Sequence, residues 1–159
     1  MFENLSSLFS ALGLGYLVLT AWPLAKTDIL ERRLPNKYVL PAFPITWFGQ
    51  IVAGVLGAGF LNMLWALLAA AITFAISLVI NRLGLLGMGD VKLMAVMSLA
   101  LGWYSPLLPI IALGLSFLIA GLVAVVLLAV KRIKLGSSMP LGPYLIAGFL
   151  GAITLVVWS

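Results

Sequence analysis

The chain of 159 residues contains no cysteine and no histidine. The first absence removes disulfides, thiolate nucleophiles and zinc–thiolate sites. The second removes imidazole-ligated zinc and any catalytic triad built on a histidine base. Charge is scarce as well: Asp and Glu number four in all, and charged residues make up 8% of the chain, where a soluble domain carries roughly 25%. What the chain has in abundance is apolar surface, 64% of its residues, with a mean hydropathy of +1.26. A membrane-spanning helix needs about 20 mostly apolar residues, and there is room for several. Composition therefore predicts an all-α integral membrane protein, with residues 1–159 forming a single membrane-embedded domain. The opening "MFENLSSLFS" has no basic region and carries Glu3, so the first apolar stretch is expected to be retained as a helix rather than removed as a signal peptide.

Six apolar stretches can be marked, at 7–25, 38–57, 60–80, 89–103, 106–130 and 139–158. They predict six transmembrane helices. The fourth is short: about 15 residues at 1.5 Å each give roughly 22 Å, against a hydrocarbon core near 30 Å. The connections alternate in character. Lys26, Arg32, Arg33 and Lys37 lie in or beside the first, Arg82 and Lys92 flank the third, and Lys131, Arg132 and Lys134 lie in the fifth. "GAGF" and "WYSP", the second and fourth, hold no charge. The positive-inside rule then puts the basic connections in the cytoplasm and both termini outside. The same rule accounts for the net charge of +5 without a nucleic-acid partner, and none is expected. Trp103 and Tyr104 suit an outer interfacial belt, and the glycines at 54, 57, 59, 114, 121, 148 and 151 suit close helix packing.

Against this background Asp90 stands out, set in "LGLLGMGDVKLM" among Gly84, Gly87 and Gly89. Asp28 closes the first predicted helix and Asp90 opens the fourth, so the topology brings both to the cytoplasmic boundary, where they can meet. A carboxylate near the membrane interior is costly, about 2.5–3.5 kcal/mol at a helix centre and less toward the ends. Two carboxylates in contact hold one proton between them, and such a pair can activate water and polarise a carbonyl. Peptide hydrolysis would then need neither metal nor cofactor. Gly87 and Gly89, without Cβ atoms, would allow unusual backbone dihedrals and the approach of an extended peptide beside Asp90. Lys92 would orient the loop toward headgroups or a partner carboxylate.

Plainer readings compete. Asp90 could cap the fourth helix, and Asp28 could pair with Arg32 four residues on. "RLPNK" could be only a turn at Pro35 and Asn36, and "SMPLGPY" only a helix start shaped by Pro140, Gly142 and Pro143. A Ser–Lys site from Ser137 or Ser138 with Lys134 lacks any sign of a buried lysine.

Three blocks together resemble the type IV prepilin peptidase family, membrane aspartic proteases with a GxGD motif. "DILERRLPN" (28–36) resembles its first block, "GMGDVKLMA" (87–95) its GxGD block, and "MPLGPYLIAG" (139–148) its third. A lone GxGD is weak; the three in order on one membrane face are specific. The resemblance implies an aspartic endopeptidase that removes the short basic leader of type IV prepilins or pseudopilin-like subunits at the cytoplasmic face of the inner membrane. Asp28 and Asp90 would be catalytic, Gly87, Gly89, Lys92, Pro35, Asn36, Pro140, Gly142 and Pro143 would shape the site, and no metal or cofactor is implied. Homo-oligomerisation is left open. Many bacterial members also carry a cysteine-rich cytoplasmic region and methylate the new N-terminus; with no cysteine, this chain resembles a short, peptidase-only form. Leu141 stands where Phe is common in the third block. The competing class is a small proton-coupled transporter or channel subunit using the same acids as a relay, which expects carboxylates near the midplane and an internal repeat; no repeat is visible.

Overall fold

A computed structural model of the chain describes residues 2–132 and 139–158. Lys134, Ser137 and Ser138, on which the Ser–Lys alternative rests, lie outside the described residues. Among those described there are seven α-helices and no strand: α1 (Phe2–Ser10), α2 (Leu12–Glu31), α3 (Asn36–Ala53), α4 (Phe60–Arg82), α5 (Met88–Gly102), α6 (Leu107–Ala129) and α7 (Gly142–Trp158), with a π-helical turn (Gly54–Ala58) closing α3. Three segments are long and apolar enough to cross a membrane: Asn36–Gly57, Phe60–Arg82 and Leu108–Ala129. A fourth follows if α1 and α2, bent by 40° at their junction, form one span, and α7 is apolar but shorter. Large apolar side chains such as Leu19, Trp22, Val79, Leu118, Leu122 and Val125 are exposed, as lipid-facing residues are. The chain is thus a multi-pass, all-helical membrane protein.

The first predicted stretch becomes two helices rather than one. At their junction the Ser10 hydroxyl donates to the carbonyl of Ser7 (2.9 Å), a local bond that competes with the helical ladder and favours a bend. The second half runs on to Glu31, well past residue 25. It ends at Arg32, whose φ of +52° is left-handed and stops the helix.

Helix α5 is the hub. Every residue from Val91 to Gly102 except Lys92 is buried, because α2, α3, α4, α6 and α7 all pack around it. This explains how a helix of roughly 22 Å can sit in the bundle: protein rather than lipid surrounds it. Interhelical polar contacts fix its rotation. Gln50 Nε2 donates to the Leu99 carbonyl (2.8 Å), and the hydroxyls of Thr73 and Ser98 lie 3.0 Å apart. At its far end Trp103, predicted for an interfacial belt, is instead a core residue at 5% exposure, packed with Ala53, Ala66 and Leu99. Side chains of α1, α3 and α4, among them Phe9, Phe43 and Met63, belong to the same cluster and cover the indole. Tyr104 beside it shares a hydrogen bond with Ser10 (3.3 Å).

The glycines divide by role. Gly148 is where α7 meets α6, its Cβ position already filled by Ser116 and the Ala112 carbonyl. Gly57 and Gly59 have φ of +106° and +88° and serve the break between α3 and α4. Gly114 and Gly121 present their Cβ positions to open space, away from the close packing expected of them.

Candidate active site

Three connections converge at one end of the bundle: Arg32–Pro35 between α2 and α3, 83–87 between α4 and α5, and 139–141 before α7. Asp28 lies in the last turn of α2, and its side chain is 5% exposed. A helix C-terminus disfavours a carboxylate, and the compensation comes from elsewhere. The backbone N–H of Gly142, the first residue of α7, donates to Asp28 Oδ2 at 2.8 Å. The carboxylate therefore caps the N-terminus of α7, where orphan N–H groups and the helix dipole favour negative charge.

Asp90 stands at the third position of α5; the N-cap is Gly87. The capping reading is corrected accordingly: Asp90 is not the cap residue but reaches back to accept the Gly87 N–H, the N3 half of a capping box. Its Oδ1 is buried and has no hydrogen-bond partner among the described residues. Each aspartate thus rests on a helix N-terminus, and both line the same two clefts, of about 390 and 540 Å³. They lie at one end of the bundle rather than at its middle, unlike the carboxylates of a proton relay.

The glycines work differently from expectation. Gly87 has ordinary extended angles (φ −72°, ψ 146°), not unusual ones. It must lack a side chain because a Cβ there would lie 2.8 Å from Asp90 Oδ2. Gly142 is constrained in the same way, its Cβ position lying 2.7 Å from Asp28 Oδ2. Gly89 lines the smaller cleft, and a Cβ there would lie 2.9 Å from Leu34 Cβ, so the missing side chain also lets the α2–α3 connection pack onto the first turn of α5. The left-handed residue of the block is Gly84 (φ +76°), in a turn held by Asn81 Nδ2 donating to the Leu86 carbonyl (2.6 Å).

Lys92 Nζ donates to Asn36 Oδ1 at 3.1 Å, tying α5 to the start of α3. Pro35 is the N-cap residue of α3. Pro140 lines the larger cleft, and Pro143 is the second residue of α7, where a missing N–H costs nothing. Sequence reasoning missed Leu34 and Asn81 as positioning residues. It also missed Arg33 as a cleft residue. An apolar residue between Arg33 and Pro35 was the available signal for Leu34. Among the described residues no three metal-ligating side chains cluster.

With this geometry in hand, comparison with known proteins is informative. Residues 13–156 match the type IV leader peptidase family. The chain is 34% identical over 154 residues to a prepilin leader peptidase/N-methyltransferase of Pseudomonas putida, covering 87% of this chain and 48% of the relative. It is 30% identical over 145 residues to the protein of the same name from Stutzerimonas stutzeri, covering 85% and 48%. A third, from Pseudomonas aeruginosa, is 30% identical over 152 residues, covering 86% and 48%. No solved structure gives a significant match. The chain belongs to the type IV leader peptidase family, and it spans about half the length of the curated relatives it matches.

Proposed function

We propose that this chain is a membrane aspartic endopeptidase that cleaves leader peptides from prepilin or pseudopilin-like subunits, with Asp28 and Asp90 as its catalytic pair. The observation that carries the reading is the convergence of two carboxylates, distant in sequence, on one pair of clefts. In the proposed reaction one carboxyl is ionised and the other protonated. The carboxylate takes a proton from water as the oxygen adds to the scissile carbonyl carbon. The protonated partner donates to the carbonyl oxygen and stabilises the charge that develops there. Collapse of the tetrahedral intermediate breaks the C–N bond, and the leaving amine takes a proton from the pair. The N–H groups of Gly142 and Gly87 each donate to one of the two carboxylates, which fixes how each side chain is held.

The same reading makes the chain a single unit of six crossings in the inner membrane, with both termini outside and the dyad at the cytoplasmic face. The basic residues support this. Arg32, Arg33 and Lys92 line the smaller cleft, and Arg82 closes α4 just before the 83–87 connection. In that orientation α5 and α7, too short to span alone, cross with the help of their neighbours. Peptidase activity alone is proposed, because the matching family model is that of the type IV leader peptidases.

The test is co-expression with a panel of tagged prepilins and pseudopilins, with leader loss read by gel shift and N-terminal mass. Asp28→Asn and Asp90→Asn are each expected to abolish cleavage, a loss of at least about a thousandfold, while the proteins still accumulate in the membrane. Retained processing by either variant would end the dyad mechanism.

A further inference from the structure

Each aspartate accepts a hydrogen bond from a peptide N–H, and every peptide unit has a carbonyl at its other end. The N–H that reaches Asp28 belongs to the unit joining Leu141 to Gly142. The carbonyl of that unit, on Leu141, accepts the N–H groups of Tyr144 (3.1 Å) and Leu145 (3.0 Å) in the first turn of α7. Helix α7 itself therefore holds this donor. The N–H that reaches Asp90 belongs to the unit joining Leu86 to Gly87. Its carbonyl lies one residue ahead of the N-cap, outside the ladder of α5, whose first bond runs from the Val91 N–H to the Gly87 carbonyl (3.2 Å). Among the described residues one donor reaches the Leu86 carbonyl: Asn81 Nδ2, at 2.6 Å.

Asn81 is well placed to hold that unit. It is half-buried in the last turn of α4. Its own carbonyl accepts the N–H of Gly84 (2.9 Å), so the main chain and side chain of one residue fix both ends of the turn that leads to Asp90. A peptide unit is planar, and holding its carbonyl oxygen sets the direction of its N–H. Hydrogen bonds in series also polarise one another, by about 10–30% per bond. The Asn81 amide thus aims the Gly87 N–H at Asp90 and strengthens its donation.

We infer that Asn81 is a positioning residue of the proposed dyad, acting on Asp90 through the Leu86–Gly87 peptide. The inference rests on the endopeptidase reading above. Asn81 lines neither cleft, so its influence travels through the backbone rather than through contact with substrate. The charged groups that share the clefts with Asp90 are Asp28 from α2, Arg32 and Arg33 just beyond it, and Lys92 from α5. Helix α3 contributes only the neutral Asn36 there, and α4, α6 and α7 contribute no charge. Replacing Asn81 by an uncharged residue leaves all of these groups in the chain.

The test measures cleavage against pH for the purified full-length chain acting on a prepilin peptide. Asn81→Leu keeps the side-chain size and removes the donor. It is expected to lower kcat by about three- to tenfold, with KM little changed. A hydrogen bond to a carboxylate favours its ionised form. Weakening that bond is therefore expected to move the limb of the pH profile that Asp90 governs toward higher pH, by about half a unit or more. Because the limbs of a coupled pair belong to both acids, the expected result is that one limb rises and neither falls. Asn81→Ala is the second variant should Asn81→Leu fail to accumulate. An unchanged rate would overturn the inference. So would a rate lowered evenly at every pH with both limbs in place, which would reduce Asn81 to a brace for the turn. If wild type cuts no prepilin peptide, it is the endopeptidase reading that fails, and the two failures are distinguishable.

Discussion

At the scale of single residues, the site depends on what two glycines leave out. Gly87 and Gly142 each bring a backbone N–H and an empty Cβ position to a carboxylate. Gly142→Ala would put a methyl 2.7 Å from Asp28 Oδ2, where no such contact is tolerated. The carboxylate must rotate away and lose its charge-assisted bond, a cost of about 1.5–3 kcal/mol. The expected result is cleavage reduced by about tenfold or more with normal membrane accumulation, read in the co-expression assay beside an immunoblot. Equal loss of protein and activity would assign Gly142 to folding instead. The aspartates themselves were legible in the sequence, because acid is so rare in this chain. Their partners were not: nothing in "MPLGPY" says that Gly142 will meet a side chain from α2, since that contact exists only once α7 has docked.

Between elements, the contact that decides the shape of the site is Leu34 on Gly89. It sets how closely the α2–α3 connection approaches α5, and hence how the two aspartates face each other. Gly89→Ala is expected to force these apart and lower turnover by severalfold, since overpacking costs about 1–3 kcal/mol. Adding Leu34→Gly removes the opposing Cβ and is expected to restore part of the loss. Rates of the two single variants and the double variant measure this coupling; strictly additive losses would show that the contact does not matter. A glycine beside a carboxylate reads as room for another chain, and only the packed structure shows that Leu34 also leans on it. The same limit explains Trp103, whose aromatic character suits an interface or a core equally well. The helices were easier to read, because long apolar runs fix their existence. The bend at Ser10–Ala11 was not, since no proline or charge marks it in the sequence.

Taken whole, the bundle gathers the basic residues Arg32, Arg33, Arg82 and Lys92 of its α2–α3 and α4–α5 connections at one end, and the alternation of charge along the sequence made that arrangement readable in advance. The orientation proposed from the positive-inside rule can be tested directly, because the chain has no cysteine of its own. Single cysteines at Leu85 and at Ser105 are expected to label from opposite sides with an impermeant maleimide in intact cells and inverted vesicles, Leu85 from the cytoplasm. Labelling of both from the same side would overturn the six-crossing topology.

The bond from Gly142 to Asp28 joins the last helix to the first half of the chain, and it carries a consequence for how the protein is made. Synthesis delivers Asp28, then Asp90, and α7 only at the close. Until α7 is threaded into the membrane, Asp28 has neither its backbone donor nor a helix terminus to rest on. On the proposed dyad mechanism, a ribosome-bound or truncated chain would hold both acidic groups and still lack the backbone donor that positions one of them, so cleavage would be expected only from a molecule whose insertion is finished.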